Sequence, residues 1–142
     1  MKNSYDANIE VINKPLSRKK EQWLNRTIGL AYNSDCNQRL GAIIVKSGSL
    51  LATGINSMRN NPNDLYYGGT SVHAEMAALR ELRGPDNTYA SAKGATIFVA
   101  RIWKNGTTAN ARPCDKCYKA LNEAGVNTII YTSDSEFPSA TV

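Results

Sequence analysis

The chain is expected to fold as an α/β protein with a mixed central sheet of four to five strands flanked by helices. Three observations predict this. One amphipathic segment precedes two short apolar runs, two further helical segments alternate with β-branched runs, and glycine or polar clusters punctuate each change. From residue 50 the order strand, helix, strand, helix, strand implies right-handed crossovers and a sheet with parallel pairs. At 142 residues the chain suits one domain, since two separate cores would each be too small. The expected division is an N-terminal arm over 1–16 and a single domain over 17–142.

Residues 1–16 are polar, lack periodicity and reach Pro15 near their end. From Ser17, a residue suited to an N-cap, Trp23, Leu24, Ile28, Ala31 and Tyr32 recur at helical spacing, and Asn33-Ser34-Asp35 ends the helix. Leu40–Val45 and Leu50–Ile55, joined by Lys46-Ser47-Gly48-Ser49, read as a β-hairpin. A long loop rich in Asn, Gly and Tyr covers 56–71. A second helix is expected over Val72–Arg83 with Ser71 as cap, stopped at Gly84-Pro85. Ala95–Ala100 reads as a strand, 102–112 as a polar loop, Cys114–Ala124 as a helix closed by Gly125, and Val126–Tyr131 as another strand. A fifth strand is expected to be missing or very short.

Apolar residues at 42% and charged residues at 20% exclude a disordered or fibrous chain. No apolar run approaches the roughly 20 residues that cross a bilayer, and the first residues lack the apolar core of a secretory signal. A cytoplasmic protein without membrane partners is therefore expected. The net charge of +5 favours anionic partners, nucleotides or nucleic acid among them, and equally suits a solvated basic surface. Three cysteines are an odd number for a disulfide framework, leaving metal ligands or buried thiols.

Two short motifs carry the chemistry. Cys114 and Cys117, three residues apart after Pro113, put two thiols on one face of an opening helical turn, where the helix dipole favours thiolate. His73 is the chain's single histidine. One His and two Cys leave the fourth tetrahedral position of a zinc ion open, the mark of a catalytic rather than a structural site. Glu75, two residues beyond His73, supplies a carboxylate able to move protons beside that position. His-x-Glu followed by Pro-Cys-x-x-Cys is the recognised signature of zinc nucleobase deaminases. Alone, His-x-Glu is common by chance and Cys-x-x-Cys more often marks a structural or redox pair; jointly they point to a catalytic Zn2+.

On these motifs the chain resembles the cytidine and deoxycytidylate deaminase superfamily over about residues 17 to 131. Ser34-Asp35-Cys36-Asn37-Gln38-Arg39-Leu40-Gly41-Ala42-Ile43-Ile44-Val45 is similar to a stretch found in many dCMP-type members, and Gly54-Ile55-Asn56 resembles the family's Gly-x-Asn. Departures are Met76-Ala77-Ala78 after Glu75, Ser57-Met58-Arg59 after Asn56, and an apparent insertion over Ile102–Arg112. The resemblance implies an α-β-α sandwich, a zinc-dependent hydrolytic deaminase, one Zn2+ per chain held by His73, Cys114 and Cys117, and Glu75 as the catalytic residue. It implies a small nucleotide or nucleoside substrate, dCMP foremost, and assembly as a homo-oligomer. Attack would fall on C4 of cytosine, with Glu75 protonating N3 and then the departing ammonia; for adenine it would fall on C6.

Asn56 enters as a sugar contact, with Ala74, Arg101, Trp103 and Arg112 as further substrate-binding candidates, Ala100 near the base, and Arg59, Lys104, Tyr66 and Tyr67 at the pocket mouth. Trp103 is read as a stacking platform or, more commonly for a Trp, a core or loop anchor. Cys36 is expected to be a buried thiol and not a fourth ligand. The competing functional class is a polynucleotide deaminase acting on single-stranded DNA or RNA, drawn from the net charge and loop cations. A non-catalytic zinc fold is disfavoured because Glu75 is not needed as a ligand.

Overall fold

The computed structural model describes residues 16–57, 73–86, 88–133 and the backbone of 139–141. Residues 1–15 of the arm expected over 1–16, together with Arg59, Tyr66, Tyr67, Ser71 and Val72, lie outside the described residues.

The first helix, α1 (Arg18–Ala31), starts where its cap demands: the Lys20 amide donates to the Ser17 hydroxyl at 3.4 Å. Leu24, Thr27 and Ala31 are its buried stripe, and the Thr27 hydroxyl donates to the Trp23 carbonyl at 2.8 Å. Tyr32, expected on that stripe, is the C-cap and is exposed. Strands β1 (Arg39–Lys46) and β2 (Ser49–Ile55) form the expected antiparallel hairpin. Its loop is only Ser47-Gly48, since Lys46 pairs with Ser49, and both loop residues have positive φ (52° and 78°), as a primed two-residue turn requires.

The second helix, α2 (Ala74–Glu81), is shorter than the expected Val72–Arg83, because His73 is extended (φ −78°, ψ 144°) and serves as the N-cap. Its carbonyl accepts the first helical bond, from Ala77 N–H at 3.0 Å. Strand β3 (Thr96–Ile102) runs two residues beyond the expected stretch. The supposed loop insertion after it turns back through Trp103–Gly106 and pairs with β3 as the two-residue strand β4 (Thr108–Ala109). The third helix, α3 (Asp115–Glu123), takes Cys114 as N-cap, so Pro113 precedes the helix and does not open it. Gly125, at φ 88°, closes it in a Schellman arrangement: Gly125 N–H bonds Asn122 O and Val126 N–H bonds Leu121 O. Strand β5 (Thr128–Tyr131) begins late for that reason, and the fifth main strand, β6 (Ser139–Thr141), is present in the very short form expected, three residues long.

The sheet order is β2-β1-β3-β5-β6, with β4 on β3. Among the described residues only β3 and β5 are parallel neighbours; β1 lies antiparallel between β2 and β3, so the crossover through α2 passes over a strand and the expected multiple parallel pairs reduce there to one. Strand alternation divides the core into two layers. Ile43, Val45, Phe98 and Ile130 face α1 with Leu24, while Ala42, Ile44, Ile97, Val99 and Ile129 pack with Leu79 of α2 and Leu121 of α3. The sheet is thus covered on both sides. No helix among the described residues is long and apolar enough to cross a membrane.

Candidate metal centre and active site

Gly54 brings α2 hard against β2. A side chain there would run into the Ala74 carbonyl and the Ala78 amide, so only glycine lets the helix start sit this close to the sheet. The N-terminus of α3 converges on the same spot, at the end of the sheet where β2 and β3 finish. Open α/β sheets build their sites at the carboxyl ends of strands for this reason: helix starts and their unpaired N–H groups gather there.

The two helix starts bring three ligating groups together. His73 Nδ1 lies 3.2 Å from Cys117 Sγ and 3.8 Å from Cys114 Sγ, and the three ligating atoms fall within 4.8 Å of one another. Cys117 is fully buried and Cys114 exposed. Burial pushes the Cys117 thiol well above its ordinary range, with the charges of Glu75 and Cys114 adding to the effect. Cys36, though buried, stands apart: its thiol lies 3.7 Å from Asp35 Oδ1 and is not in the cluster.

Glu75, in the first turn of α2, is 3% exposed, and its Oε1 has no hydrogen-bond partner among the described residues. Desolvation pushes its carboxyl up, opposed by its own backbone amide and by the Arg101 guanidinium. A cavity of about 230 Å³ is lined by His73, Ala74, Glu75 and Cys114 together with Asn56, Arg101, Arg112, Gln38 and Leu40.

Four of the five substrate-contact candidates, Asn56, Ala74, Arg101 and Arg112, therefore meet at this cavity. Trp103 does not. It stands 42% exposed in the β3–β4 turn, neither lining the cavity nor buried as a core anchor. Ala100 pairs with Gly41 and, by strand alternation, belongs to the α1 face, away from the cavity. Lys104 is likewise not part of the lining.

Sequence reasoning missed the framework of this cavity. Buried Thr132 receives the Arg101 amide at 3.0 Å on its hydroxyl, donates to the Ala109 carbonyl at 2.8 Å, and accepts the Ala111 amide at 2.9 Å on its carbonyl. It thereby ties the end of β5 to β3 and to the segment leading into Arg112. Nothing in the local sequence around Thr132 marks it, since its partners are 21 to 31 residues away in the chain. Gln38 and Leu40 lie within the stretch that carried the family resemblance, which was the available signal.

One histidine and two thiols beside a buried carboxylate with one unpartnered oxygen suit a single zinc ion with one coordination position left for a reactant. That donor set and that orphaned oxygen suit a metal-dependent hydrolase. The chain belongs to the cytidine and deoxycytidylate deaminase family, whose zinc-binding region matches residues 17–133, and it is a hydrolytic deaminase. Among solved structures it is similar to the dCMP deaminase of cyanophage S-TIM5 in apo form, at 25% identity and a TM-score of 0.60, over 85% of this chain and 88% of that one. The same cyanophage enzyme in complex with dCMP and dUMP matches at 26% identity and TM-score 0.56 over 82% of both chains. A cytidine deaminase from Burkholderia pseudomallei shares the fold at 18% identity, TM-score 0.59, over 89% of this chain and 92% of that one. No curated protein matches the sequence at a significant level.

Proposed function

We propose that the chain deaminates a monomeric cytosine nucleotide, converting dCMP to dUMP with release of ammonia. The observation that carries this reading is the presence of Arg101 and Arg112 in the same small cavity as Glu75, His73 and Cys114. Paired guanidinium groups suit a phosphate, which each can grip through a fork of N–H donors. The net charge of +5 favours an anionic substrate, and the cyanophage relative was solved with dCMP and dUMP.

His73, Cys114 and Cys117 would hold the zinc ion, which when bound acts as a Lewis acid and lowers the pKa of water to about 7. The chain's own part rests on Glu75. Its carboxylate accepts a proton from the attacking water and delivers it to N3 of the base, then moves the second water proton to the amino group. A C4–O bond forms, the C4–N bond breaks, and the two protons of water end on N3 and on ammonia. A carboxyl whose burial raises its proton affinity is suited to both transfers. Ala74, fully buried and small, leaves room for the base edge.

The test is ammonia release and product identity with zinc-loaded protein. The panel holds cytidine, deoxycytidine, CMP, dCMP, dCTP, adenosine and a cytosine-containing single strand, with Glu75→Ala as control. The expected result is preferred turnover of dCMP, lost in the control, with Arg101→Ala and Arg112→Ala raising KM for dCMP more than for deoxycytidine. Turnover of the strand alone would overturn the monomer reading.

A further inference from the structure

Asn56 follows the last residue of β2 and lines the cavity, yet most of its side chain is already committed. Its Oδ1 receives the Leu40 amide at 2.9 Å and the Ser34 hydroxyl at 2.6 Å, while its Nδ2 donates to the Gln38 carbonyl at 2.8 Å. These partners decide the orientation of the amide. Leu40 N–H can only donate, so the atom facing it is oxygen; Gln38 C=O can only accept, so the atom facing it is nitrogen. With Oδ1 taken by two donors, one Nδ2 hydrogen is what the side chain has left to offer.

Ser34 holds this arrangement. It is 4% exposed, and its hydroxyl lies 3.0 Å from the Asn56 carbonyl oxygen as well as 2.6 Å from Oδ1, while accepting the Cys36 amide at 3.1 Å. It joins the segment after α1 to the end of β2 across 22 residues of chain. A single buried hydroxyl thus satisfies groups on two segments, and its removal leaves Asn56 Oδ1 with one donor.

We infer that Ser34 is a positioning residue that locks Asn56 as a hydrogen-bond donor toward the cavity, so that the substrate atom meeting Asn56 is an acceptor. The inference rests on the nucleotide reading above for the identity of that substrate. It assigns a direction to the contact: an oxygen or ring nitrogen with a free lone pair is recognised there, and a group that can only donate is refused.

The experiment compares Ser34→Ala, Ser34→Thr and Asn56→Asp with the parent, all zinc-loaded, using dCMP and following kcat and KM separately. Ser34→Ala is expected to raise KM about tenfold, the scale of one well-made buried hydrogen bond, with kcat within about twofold and zinc content unchanged. Ser34→Thr, which keeps the hydroxyl, should restore KM. Asn56→Asp, which exchanges the donor for an oxygen, should raise KM further than Ser34→Ala. In the substrate-free protein, the Asn56 side-chain amide proton bonded to the Gln38 carbonyl should exchange slowly with solvent in the parent and markedly faster in Ser34→Ala, as read by NMR.

An unchanged KM in Ser34→Ala, or equal losses of zinc and kcat, would overturn the positioning role. Parent-like binding by Asn56→Asp would overturn the donor assignment. Failure of the parent to turn over dCMP would instead overturn the nucleotide reading, while the amide spectrum, which needs no substrate, still decides the lock.

Discussion

His73 Nδ1 sits 3.2 Å from Cys117 Sγ across 44 residues of sequence, which makes the ligand set a clasp between two helix starts as well as a metal site. Loop closure over such a separation is costly for an unfolded chain, and a metal bound to both sides favours the closed form by mass action.

Removal of zinc should therefore loosen the junction of α2 and α3. Chelation is expected to lower Tm by about 5–10 °C at saturating starting metal, the shift that a few kcal/mol produces in a domain of this size. Cys117→Ser should lose bound zinc, measured per chain by atomic absorption. Cys36→Ser should keep it, since that thiol lies outside the cluster.

Glu75→Gln should abolish turnover yet keep zinc at one per chain. In the metal-free protein at neutral pH it should also be more stable than the parent, by about 1–2 kcal/mol, because it replaces a buried carboxyl that lacks a partner at Oε1 with a neutral amide. Thermal melts of chelated parent and variant check the second half; loss of stability in the variant would contradict the argument.

Two glycines should respond oppositely to alanine. Gly54→Ala forces a methyl into the backbone of α2 and should cost about 3 kcal/mol, with zinc affinity falling alongside because His73 moves with that helix. Gly29→Ala lies in α1 with nothing within 4 Å of the added carbon and should stabilise by about 0.5–1 kcal/mol. Urea denaturation of both variants measures the contrast.

Acid should erase a small contribution from the turn after α2. The Thr88 hydroxyl, 2.7 Å from Asp86 Oδ1, and the Thr88 amide at 3.1 Å hold that carboxyl below its ordinary 3.8. A folded pKa below the unfolded one gives stability that is full above 3.8 and lost as pH falls through the folded value. Thr88→Val should be slightly less stable than the parent at neutral pH. The gap in urea midpoints should narrow in strong acid; a gap independent of pH would assign the loss to packing instead.

Much of this was legible in the residues. Ser17 capped α1 as its side chain predicts, Ser47-Gly48 made the hairpin turn, and Gly125 ended α3, because caps and turns are decided by neighbours in the chain. His73, Cys114 and Cys117, which the fold brings within 4.8 Å of one another, could be named as ligand candidates because ligand chemistry restricts residue types and helical spacing restricts their order. The boundaries of α2 and α3 moved because His73 and Cys114 are extended N-caps, a backbone choice that residue type alone does not make.

Tertiary structure decided the rest. The strand order placed β1 between β2 and β3, so one parallel pair stands where several were expected; periodicity shows which face of a strand is buried but not which strand lies beside it. The same ordering folded the residues after Trp103 onto β3, brought Arg101 and Arg112 to the cavity, and left Trp103 outside it. Ser34 and Thr132 act through partners about 20 to 30 residues away, and a hydrogen bond of that reach has no local pattern to betray it. The sequence by itself determined which chemistry this protein carries. The tertiary fold decided which side chains stand around that chemistry and which way they face, because strand pairing, helix approach and long-range hydrogen bonds set those distances.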